Sequence, residues 1–484
     1  MAEAPRFARN YVFLALSRAV LIGGNAVILL IIGWGLSVED FGRFTFALSL
    51  AGLLSIMVAM GIDQWVVAYL PKQMEKGPAY AGGALTLRGA LIIPFELLLL
   101  CICICSSFDW EQSMLVMLLG LAMGLQIVTS LSTALAQAIE RTELGLYTNI
   151  VRNAFMVASV VIWMLLLRGS VVWLAALWAA AQMPAVLVGI YVIGRKGCGI
   201  HWEAGIRPWW AIVRKAYVFA IVSFVLSSAG AIEAVLLKYL LWDDQQVGYF
   251  QMSVRLSLAL GVPVSTLAQA FYPILSRRSA ESRESLARAV HLYHKFQLLI
   301  AALVFLLGVV FPREILYLLF RERYLAATEV FRLLMLACLI AHAPPAWDVF
   351  HVTGLERYCF WILLVETVLT FGLNLVVIPL FGMLGTACVR VGLSCVTRLI
   401  TLWVMRKTRY PLAESWRPYL KMAFCFLIVV GAAWVVATVT GIMPAIATYF
   451  VVGLPLIYIV VLDSSEKAMV RDLYHRVWGK LRGH

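Results

Sequence analysis

Charged side chains inside long apolar segments are the residues of this sequence whose types could do chemistry. Guanidinium groups can bind phosphate oxygens in pairs, and carboxylates can take up a proton or a cation. A charge in mid-bilayer costs about 2.5–3.5 kcal/mol on insertion scales, so it usually faces a water-filled cavity or an opposite charge. The cations are Arg18, Arg255, Arg332, Arg390 and Arg398, and the acids are Glu96, Glu233, Glu366 and Asp63. We predict that the cations face a cavity, whereas ion pairing explains the acids equally well.

Polar residues repeat at helical spacing beside these charges. Residues at i, i+4 and i+7 or i+8 fall on one face of a helix. The stripes are Gln126, Ser130, Thr133 and Gln137; Glu366, Thr370 and Asn374; and Arg390, Ser394, Thr397 and Arg398. These faces are predicted to line the cavity, although Ser, Thr and Gln also join helices through hydrogen bonds. Asn25, in the first apolar segment, is a further candidate for substrate binding.

The spacings of metal, nucleotide and catalytic sites are not found in the sequence. Cys101, Cys103 and Cys105 are two residues apart, which on a helix turns neighbouring thiols about 200° from each other. No glycine-rich loop is followed by Lys and Ser or Thr. The connections predicted to lie on the outer, non-cytoplasmic side of the membrane are too short to hold a set of catalytic residues. We therefore predict no metal, no cofactor and no enzymatic activity.

Composition indicates an all-α polytopic membrane protein. The 484 residues are 63% hydrophobic and 13% charged, whereas soluble proteins are about 25% charged. Hydropathy predicts about fourteen transmembrane helices, most of them long enough to cross about 30 Å of hydrocarbon. Most of the 39 Lys and Arg residues fall on one side if the N-terminus is cytoplasmic. Both termini are therefore predicted to be cytoplasmic. A net charge of +13 would suggest a nucleic-acid partner in a soluble protein, but in this membrane protein its placement indicates orientation, and no nucleic-acid partner is predicted.

An internal repeat organises these helices. Residues 11–50 align without a gap on residues 217–256, and each copy contains an apolar helix, an acidic turn and Gly-x-Phe, at Gly42 and Gly248. Many transporters consist of two repeats with the substrate path at their interface. We predict two six-helix lobes around a central cavity. The boundaries are 1–193 for the first lobe, 194–216 for a cytoplasmic connection, 217–406 for the second lobe, 407–463 for helices 13 and 14, and 464–484 for a cytoplasmic amphipathic tail.

One stretch of the second lobe resembles a signature of polysaccharide flippases. It contains Gly354-Leu-Glu-Arg-Tyr, then Asn374 and Pro379, and then Gly382-x-x-Gly385-x-Ala387. In those flippases a Gly-x-x-Arg-like turn leads into a helix with Asn-x-x-x-x-Pro, and Gly-x-x-Gly-x-Ala opens the next helix. Residues 311–333 and 41–44 resemble further segments of the family. The resemblance points to the oligosaccharide branch of the multidrug/oligosaccharidyl-lipid/polysaccharide exporter (MOP) superfamily.

This resemblance implies a flippase of a bacterial inner membrane. The substrate would be an undecaprenyl-diphosphate-linked oligosaccharide, moved from the cytoplasmic to the outer leaflet by alternating access. The resemblance also implies that the cavity arginines meet the diphosphate, and we add Asn25, Gln126 and Asn374 to the binding candidates. The four acids are candidates for a coupling H⁺ or Na⁺. Membrane lipids are expected contacts, and polysaccharide polymerase and glycosyltransferase proteins are candidate partners.

Four alternatives to this function stay open, one of which is a non-transporting scaffold subunit whose cavity arginines would be dispensable. A lipid II flippase would share the cationic cavity and the fourteen helices. A cation-coupled drug antiporter would require an anionic cavity, which the surplus of intramembrane arginines argues against. A membrane-embedded glycan ligase or polymerase would require a large outer loop, and the sequence offers none.

Overall fold

The computed structural model describes residues 23–167, 169–342 and 347–408, together with single residues and short stretches between 421 and 455. The described part of the chain forms helices joined by short turns and contains no β-strand. The helices are α1 Gly23–Gly35, α2 Val38–Leu54, α3 Ile56–Ala59, α4 Ile62–Tyr69, α5 Gly77–Cys105, α6 Trp110–Ala138, α7 Thr142–Leu166, α8 Val171–Ala180, α9 Gln182–Lys196, α10 Ile206–Leu241, α11 Asp244–Leu260, α12 Val262–Glu281, α13 Arg283–Val310, α14 Pro312–Phe320, α15 Thr328–His342, α16 Trp347–Val352 and α17 Glu356–Lys407.

The acidic turns of the repeat start helices in both copies. Ser37 Oγ accepts a hydrogen bond from the Asp40 amide at 3.0 Å, ahead of α2. At the matching position of the second copy, Asp243 Oδ1 accepts one from the Gln245 amide at 3.0 Å, ahead of α11. Such a side-chain acceptor at a helix start is worth about 1 kcal/mol. The predicted order of apolar helix, capped turn and Gly-x-Phe helix is confirmed where both copies are described.

The all-α polytopic membrane fold is confirmed. Nine helices of the described residues are long and apolar enough to cross a membrane, and α11 and α12, which meet at a bend of 43°, add a tenth span if counted together. The predicted eleventh and twelfth spans are joined in α17, whose backbone leaves the helical conformation at Gly382 (φ 58°). The first predicted span is described only from Gly23, and the thirteenth, the fourteenth and the tail lie largely or wholly outside the described residues.

The second predicted span is broken, which the sequence does not announce. Hydropathy alone predicts one helix over residues 44–70, but Met60 (φ 46°) and Gly61 (φ 65°) adopt left-handed conformations between α3 and α4. A Cβ atom on Gly61 would stand 2.3 Å from the amide nitrogen of Ala220, so only glycine permits this approach to α10. Helix α10 itself begins at Ile206, within the predicted connection 194–216.

The described helices group into two compact units. Unit 1 comprises Met1–Ala259, Leu319–Val330 and Leu363–Val389, and unit 2 comprises Leu260–Leu318, Phe331–Ile362 and Arg390–His484. The predicted boundaries of the two lobes stay a prediction.

Small residues let the helices of unit 1 approach closely. Its core contains Ala81, Ala84 and Ala136, each fully buried, around Trp65. A Cβ on Gly82 would stand 1.8 Å from the carbonyl oxygen of His201. Close packing of this kind drives helix association in lipid, where burial from water contributes little. In unit 2, a separate cluster gathers Leu286, Val290 and Tyr293 of α13 with Leu275 and Val349.

Candidate substrate-binding site

The break between α3 and α4 places a carboxylate within the second membrane span. Asp63 lies in the first turn of α4, and its Oδ1 is 2.8 Å from Nη2 of Arg88 on α5. Its Oδ2 accepts a hydrogen bond from Ser130 Oγ of α6 at 2.6 Å. Arg88 is completely buried. A buried cation requires such an opposite charge, because an unpaired charge in a low-dielectric interior is strongly destabilising.

Arg88 also binds the backbone around the break. Its Nη2 donates to the carbonyl oxygen of Ala59 at 3.3 Å, and its Nη1 donates to that of Ile127 at 2.6 Å. Ala59 ends α3, where the left-handed residues leave carbonyl oxygens without a helical donor. Arg88 therefore stabilises the break and orients Asp63 at the same time.

A cavity of about 510 Å³ opens beside Asp63, within unit 1. Helices α4, α6 and α7 form its described lining, in which polar side chains lie among a larger apolar surface. The lining residues are Asp63, Gln64, Val67, Ala68, Thr129, Ser130, Thr133, Ala134, Gln137, Asn149 and Arg152. Because Arg88 neutralises Asp63, Arg152 gives the cavity a net positive charge. A guanidinium beside amide and hydroxyl groups can bind a phosphate together with sugar hydroxyls.

Arg152 is available for an anionic ligand. The side chain is half-buried on α7 and makes no hydrogen bond or ion pair within the described residues. Guanidinium groups have a planar fork of donors that matches phosphate oxygens. A ligand phosphate would therefore supply a partner that the described residues do not.

The sequence-predicted residues of unit 1 divide between this cavity and other places. The structure brings Asp63 together with three members of the α6 stripe, Ser130, Thr133 and Gln137. The fourth member, Gln126, is half-buried but is not among the lining residues. None of the four predicted arginines that the structure describes is among the lining residues. Asn25 is exposed on α1.

The remaining predicted residues of unit 1 lie on other helices. Glu96 is half-buried on α5 against Gly120 of α6, and its Oε1 is buried without a hydrogen-bond partner among the described residues. Glu233 is buried on α10, and Arg255 is half-buried on α11. On α17, Glu366 is half-buried, while Asn374 is buried and donates to the carbonyl oxygen of Thr370 at 2.8 Å.

Three predicted arginines belong to unit 2, and one lies outside the described residues. Arg332 is half-buried on α15, and Arg390 and Arg398 are half-buried on α17. Arg398 donates to the carbonyl oxygen of Ala341. Arg18 falls in the first 22 residues, outside the described part of the chain.

Arg88, Asn149 and Arg152 are site residues that the sequence analysis missed. Arg88 lies near the beginning of a predicted span, where a cation is ordinary at the membrane surface. Asn149 and Arg152 are three residues apart on α7, so they share a helix face. That spacing, inside an apolar segment, was the available signal.

A second polar feature of unit 1 joins the two copies of the repeat. Arg43 of α2 contacts four carboxylates, which we call the Arg43 cluster. The partners are Glu39 at 3.0 Å, Asp109 at 3.5 Å, Glu111 at 3.1 Å and Asp244 at 3.3 Å. Asp244, at the start of α11, is also 2.6 Å from Lys238. Individual exposed ion pairs contribute little to the free energy of unfolding. This network, however, joins four helices, α2, α6, α10 and α11.

The glycines of the repeated motif pack against the opposite copy beside this cluster. A Cβ on Gly42 would stand 1.8 Å from the carbonyl oxygen of Asp244, and one on Gly248 would stand 2.2 Å from that of Val38. The beginnings of α2 and α11 therefore touch through backbone alone. This reciprocal contact explains why Gly-x-Phe occurs in both copies.

Further hydrogen bonds hold this end of unit 1 together. Arg323 donates to the carbonyl oxygens of Gly33, Trp34 and Leu36 at 3.1, 2.8 and 2.7 Å, where α1 ends. Gln246 Oε1 accepts from the amide of Met383 at 3.1 Å, beside the break in α17. A cation at a helix C-terminus satisfies carbonyl groups that have no helical partner.

The described residues contain no group of three or more His, Cys, Asp or Glu side chains that could hold a metal ion.

The chain is similar to solved membrane transporters. It superposes on the lipid II flippase MurJ in an inward closed conformation with a TM-score of 0.75 and 11% identity, over 96% of this chain and 100% of that one. An inward-facing multidrug resistance MATE family transporter gives 0.64 and 14%, over 83% and 100%. A MOP superfamily transporter from Pyrococcus furiosus gives 0.57 and 13%, over 84% and 96%. At these identities the similarity shows a common fold.

The family is shown by the sequence itself. A comparison with curated protein sequences finds no significant match. Residues 7–279, more than half of the chain, match the polysaccharide biosynthesis protein family. The solved structures on the same fold include a lipid II flippase and two transporters of the MOP superfamily. We conclude that the chain is a multi-pass membrane protein that belongs to the polysaccharide biosynthesis protein family.

Proposed function

We propose that this protein translocates an undecaprenyl-diphosphate-linked oligosaccharide from the cytoplasmic to the outer leaflet of a bacterial inner membrane. The observation that carries the proposal is the cavity of unit 1, where Arg152 offers a cation beside Gln64, Gln137 and Asn149. Its charge suits a diphosphate, and its amides and hydroxyls suit sugar hydroxyl groups. The family match to polysaccharide biosynthesis proteins supports a glycan substrate.

The same cavity argues against a drug antiporter. An organic cation would need a surplus of acids, but among the described lining residues the acid is Asp63, which is paired with buried Arg88. Lipid II is the second candidate substrate, favoured by the structural similarity to MurJ. It shares the diphosphate with the proposed substrate, so the two differ in the glycan.

Transport would proceed by alternating access with both termini in the cytoplasm. In that orientation the turn between α1 and α2 faces outward, so the Arg43 cluster closes the outer side of unit 1. Arg18, Arg255, Arg332, Arg390 and Arg398 are proposed as further cations along the diphosphate path. Their long guanidinium side chains can follow a moving phosphate.

The coupling ion is proposed to be H⁺ or Na⁺, taken up by intramembrane acids. Asp63 is the least available of the four candidates, because Arg88 and Ser130 occupy both of its oxygens. Glu96 is the most suitable, since Oε1 is buried without a hydrogen-bond partner among the residues described. Glu233 and Glu366 complete the set. A glycosyltransferase that makes the lipid-linked glycan and a polymerase that uses it are the proposed protein partners.

Replacing Arg152 with alanine is expected to slow flipping about 10-fold to 100-fold, because a hydrogen bond to a charged group contributes about 1.5–3 kcal/mol. The assay follows undecaprenyl-diphosphate-linked oligosaccharide in proteoliposomes. Arg152→Lys should retain part of the rate, since a lysine supplies the charge without the fork. Arg207→Ala, which removes an exposed cation from α10, is the matched control. Wild-type flipping that survives Arg152→Ala unchanged would contradict this role for the cavity.

A further inference from the structure

A second cavity lies on the other side of the short helix α4. It measures about 280 Å³ and is lined by Trp65, Tyr69, Gln73, Tyr80 and Lys215. Asp63, Gln64, Val67 and Ala68 of the same helix line the Arg152 cavity. Helix α4 thus forms one wall of both, and we call the second one the aromatic pocket.

The aromatic pocket has one fixed wall and one accessible wall. Trp65 is 2% exposed and meets the Tyr80 ring edge-on, with centroids 5.0 Å apart and planes at 72°. Tyr69 is 47% exposed. The Tyr80 hydroxyl donates to Gln73 Oε1 at 3.0 Å. Two rings are therefore held in place by packing and hydrogen bonding, while the third lies at the opening.

The charge of the pocket is positive. Lys215 Nζ lies 3.5 Å from the Tyr80 hydroxyl oxygen and 5.6 Å from the centre of its ring. Lys72 Nζ lies 5.2 Å from the centre of the Tyr69 ring, at the rim. No acid is among the lining residues in the part of the chain that the structure describes. Among these residues the pocket offers an ammonium group to an anion without a competing carboxylate, and lysine binds phosphate as a point charge.

The size and lining suit a small ligand with a sugar ring. Pockets for drug-sized molecules begin at about 300 Å³, so this volume suits one sugar with its phosphate better than an oligosaccharide. Aromatic faces pack against the C–H bonds of a sugar ring, while the Gln73 amide and the Tyr80 hydroxyl can bind its hydroxyl groups.

We propose that the aromatic pocket binds a glycosyl phosphate, which is the sugar and phosphate nearest the lipid in a lipid-linked glycan. This rests on the proposed function and adds a loading site on the opposite side of α4 from the Arg152 cavity. Gln73 lies in the connection between α4 and α5, and Tyr80 lies in the first turn of α5, so with both termini in the cytoplasm they lie on the cytoplasmic side, where the substrate is made. Phosphatidylglycerol carries the same chemistry, a phosphate ester next to hydroxyl groups.

The test measures binding of glucose 1-phosphate and N-acetylglucosamine 1-phosphate to the full-length protein in detergent by titration calorimetry. Wild type should bind at least one of them. Lys215→Ala and Tyr69→Ala should each weaken binding about tenfold or more, as loss of a hydrogen bond to a charged group does. Both side chains are exposed, so these variants should fold. Lys215→Arg should retain binding, and Lys76→Ala, which removes an exposed cation of the same connection, is the control.

Two further arms separate the possible outcomes. Nanodiscs of phosphatidylglycerol, compared with phosphatidylcholine, should not prevent glycosyl phosphate binding; full displacement by phosphatidylglycerol would identify an ordinary lipid site and overturn the proposal. Equal binding by wild type, Lys215→Ala and Tyr69→Ala would also overturn it. Arg152→Ala should bind glycosyl phosphate normally yet flip the lipid-linked substrate about 10-fold to 100-fold more slowly than wild type. Binding at Lys215 without flipping in wild type would reject the proposed function alone.

Discussion

Replacing Gly42 with alanine is expected to separate α2 from α11 and to abolish transport. The new Cβ would stand 1.8 Å from the carbonyl oxygen of Asp244, whereas real contacts of this kind are longer than 3.0 Å. The obstacle is backbone, so no side-chain rotation relieves it, and one helix must move. Gly248→Ala should act in the same way through Val38. Both substitutions are expected to loosen the Arg43 cluster, because its partners lie on these helices.

Hydrogen–deuterium exchange of residues 38–46 and 244–250 measures this separation directly. Both segments should exchange faster in Gly42→Ala and in Gly248→Ala than in wild type. Gly52→Ala is the matched control, because it lies on the same helix as Gly42 and has nothing within 4 Å of the added atom. That variant should be neutral or stabilised by about 0.5–1 kcal/mol through helix propensity. Wild-type exchange together with wild-type transport in Gly42→Ala would refute the packing role.

Replacing Arg88 with alanine is expected to destabilise the protein by about 3–5 kcal/mol, the usual effect of removing one member of a buried ion pair. Asp63 would lose its counter-charge, and the carbonyl oxygens of Ala59 and Ile127 would lose their donor. Asp63→Asn should be destabilising as well, because it leaves the buried guanidinium uncompensated. Fluorescence-monitored unfolding in detergent gives the comparison.

A double variant distinguishes the ion pair from the general loss of packing. The double variant Arg88→Met with Asp63→Leu removes both charges and keeps much of the side-chain volume. It should therefore recover much of the stability that Arg88→Ala or Asp63→Asn alone loses. The backbone carbonyl groups at the break would still lack their donor, so recovery should be incomplete. Arg88→Ala that unfolds within about 0.5 kcal/mol of wild type, the range of ordinary surface changes, would contradict the buried pair.

Regular features of the fold follow from the sequence because they repeat. Apolar length predicts the membrane helices, and the match of residues 11–50 with 217–256 predicts two copies of a helical motif. The structure adds that Gly42 of α2 packs against the beginning of α11 and that Gly248 of α11 packs against the beginning of α2. A repeat predicts equivalent positions, whereas contact between them depends on how the copies are arranged.

Other features depend on contacts between distant residues. The break at Met60 and Gly61 lies in a continuous apolar segment, and its cause is the backbone of α10 at Phe219 and Ala220. Arg43 and Asp244 are 201 positions apart, so no local spacing signals their pairing. In contrast, the α6 stripe follows helical periodicity, and three of its four members line the cavity.

The fate of a polar side chain in a span depends on its neighbours in the same way. The Thr397 hydroxyl donates to the carbonyl oxygen of Ser394 at 3.2 Å. The Thr370 hydroxyl donates to the backbone carbonyl oxygen of Glu366 at 2.7 Å. These hydroxyl groups satisfy themselves on their own helix, so a polar stripe alone does not establish a cavity. Arg152 carries a local signal of the same kind, because it shares one helix face with Asn149 three residues earlier, and both side chains line the cavity.

The most direct test of the proposed function compares two classes of substrate in the same proteoliposomes. Undecaprenyl-diphosphate-linked oligosaccharide is placed in one leaflet, and its appearance in the other is read with a membrane-impermeant glycan hydrolase; a fluorescent organic cation reports antiport. Our account predicts glycan translocation well above that of protein-free vesicles and no transport of the cation, with lipid II as the competing glycan. Robust cation transport without glycan translocation would contradict it and assign the chain to drug export.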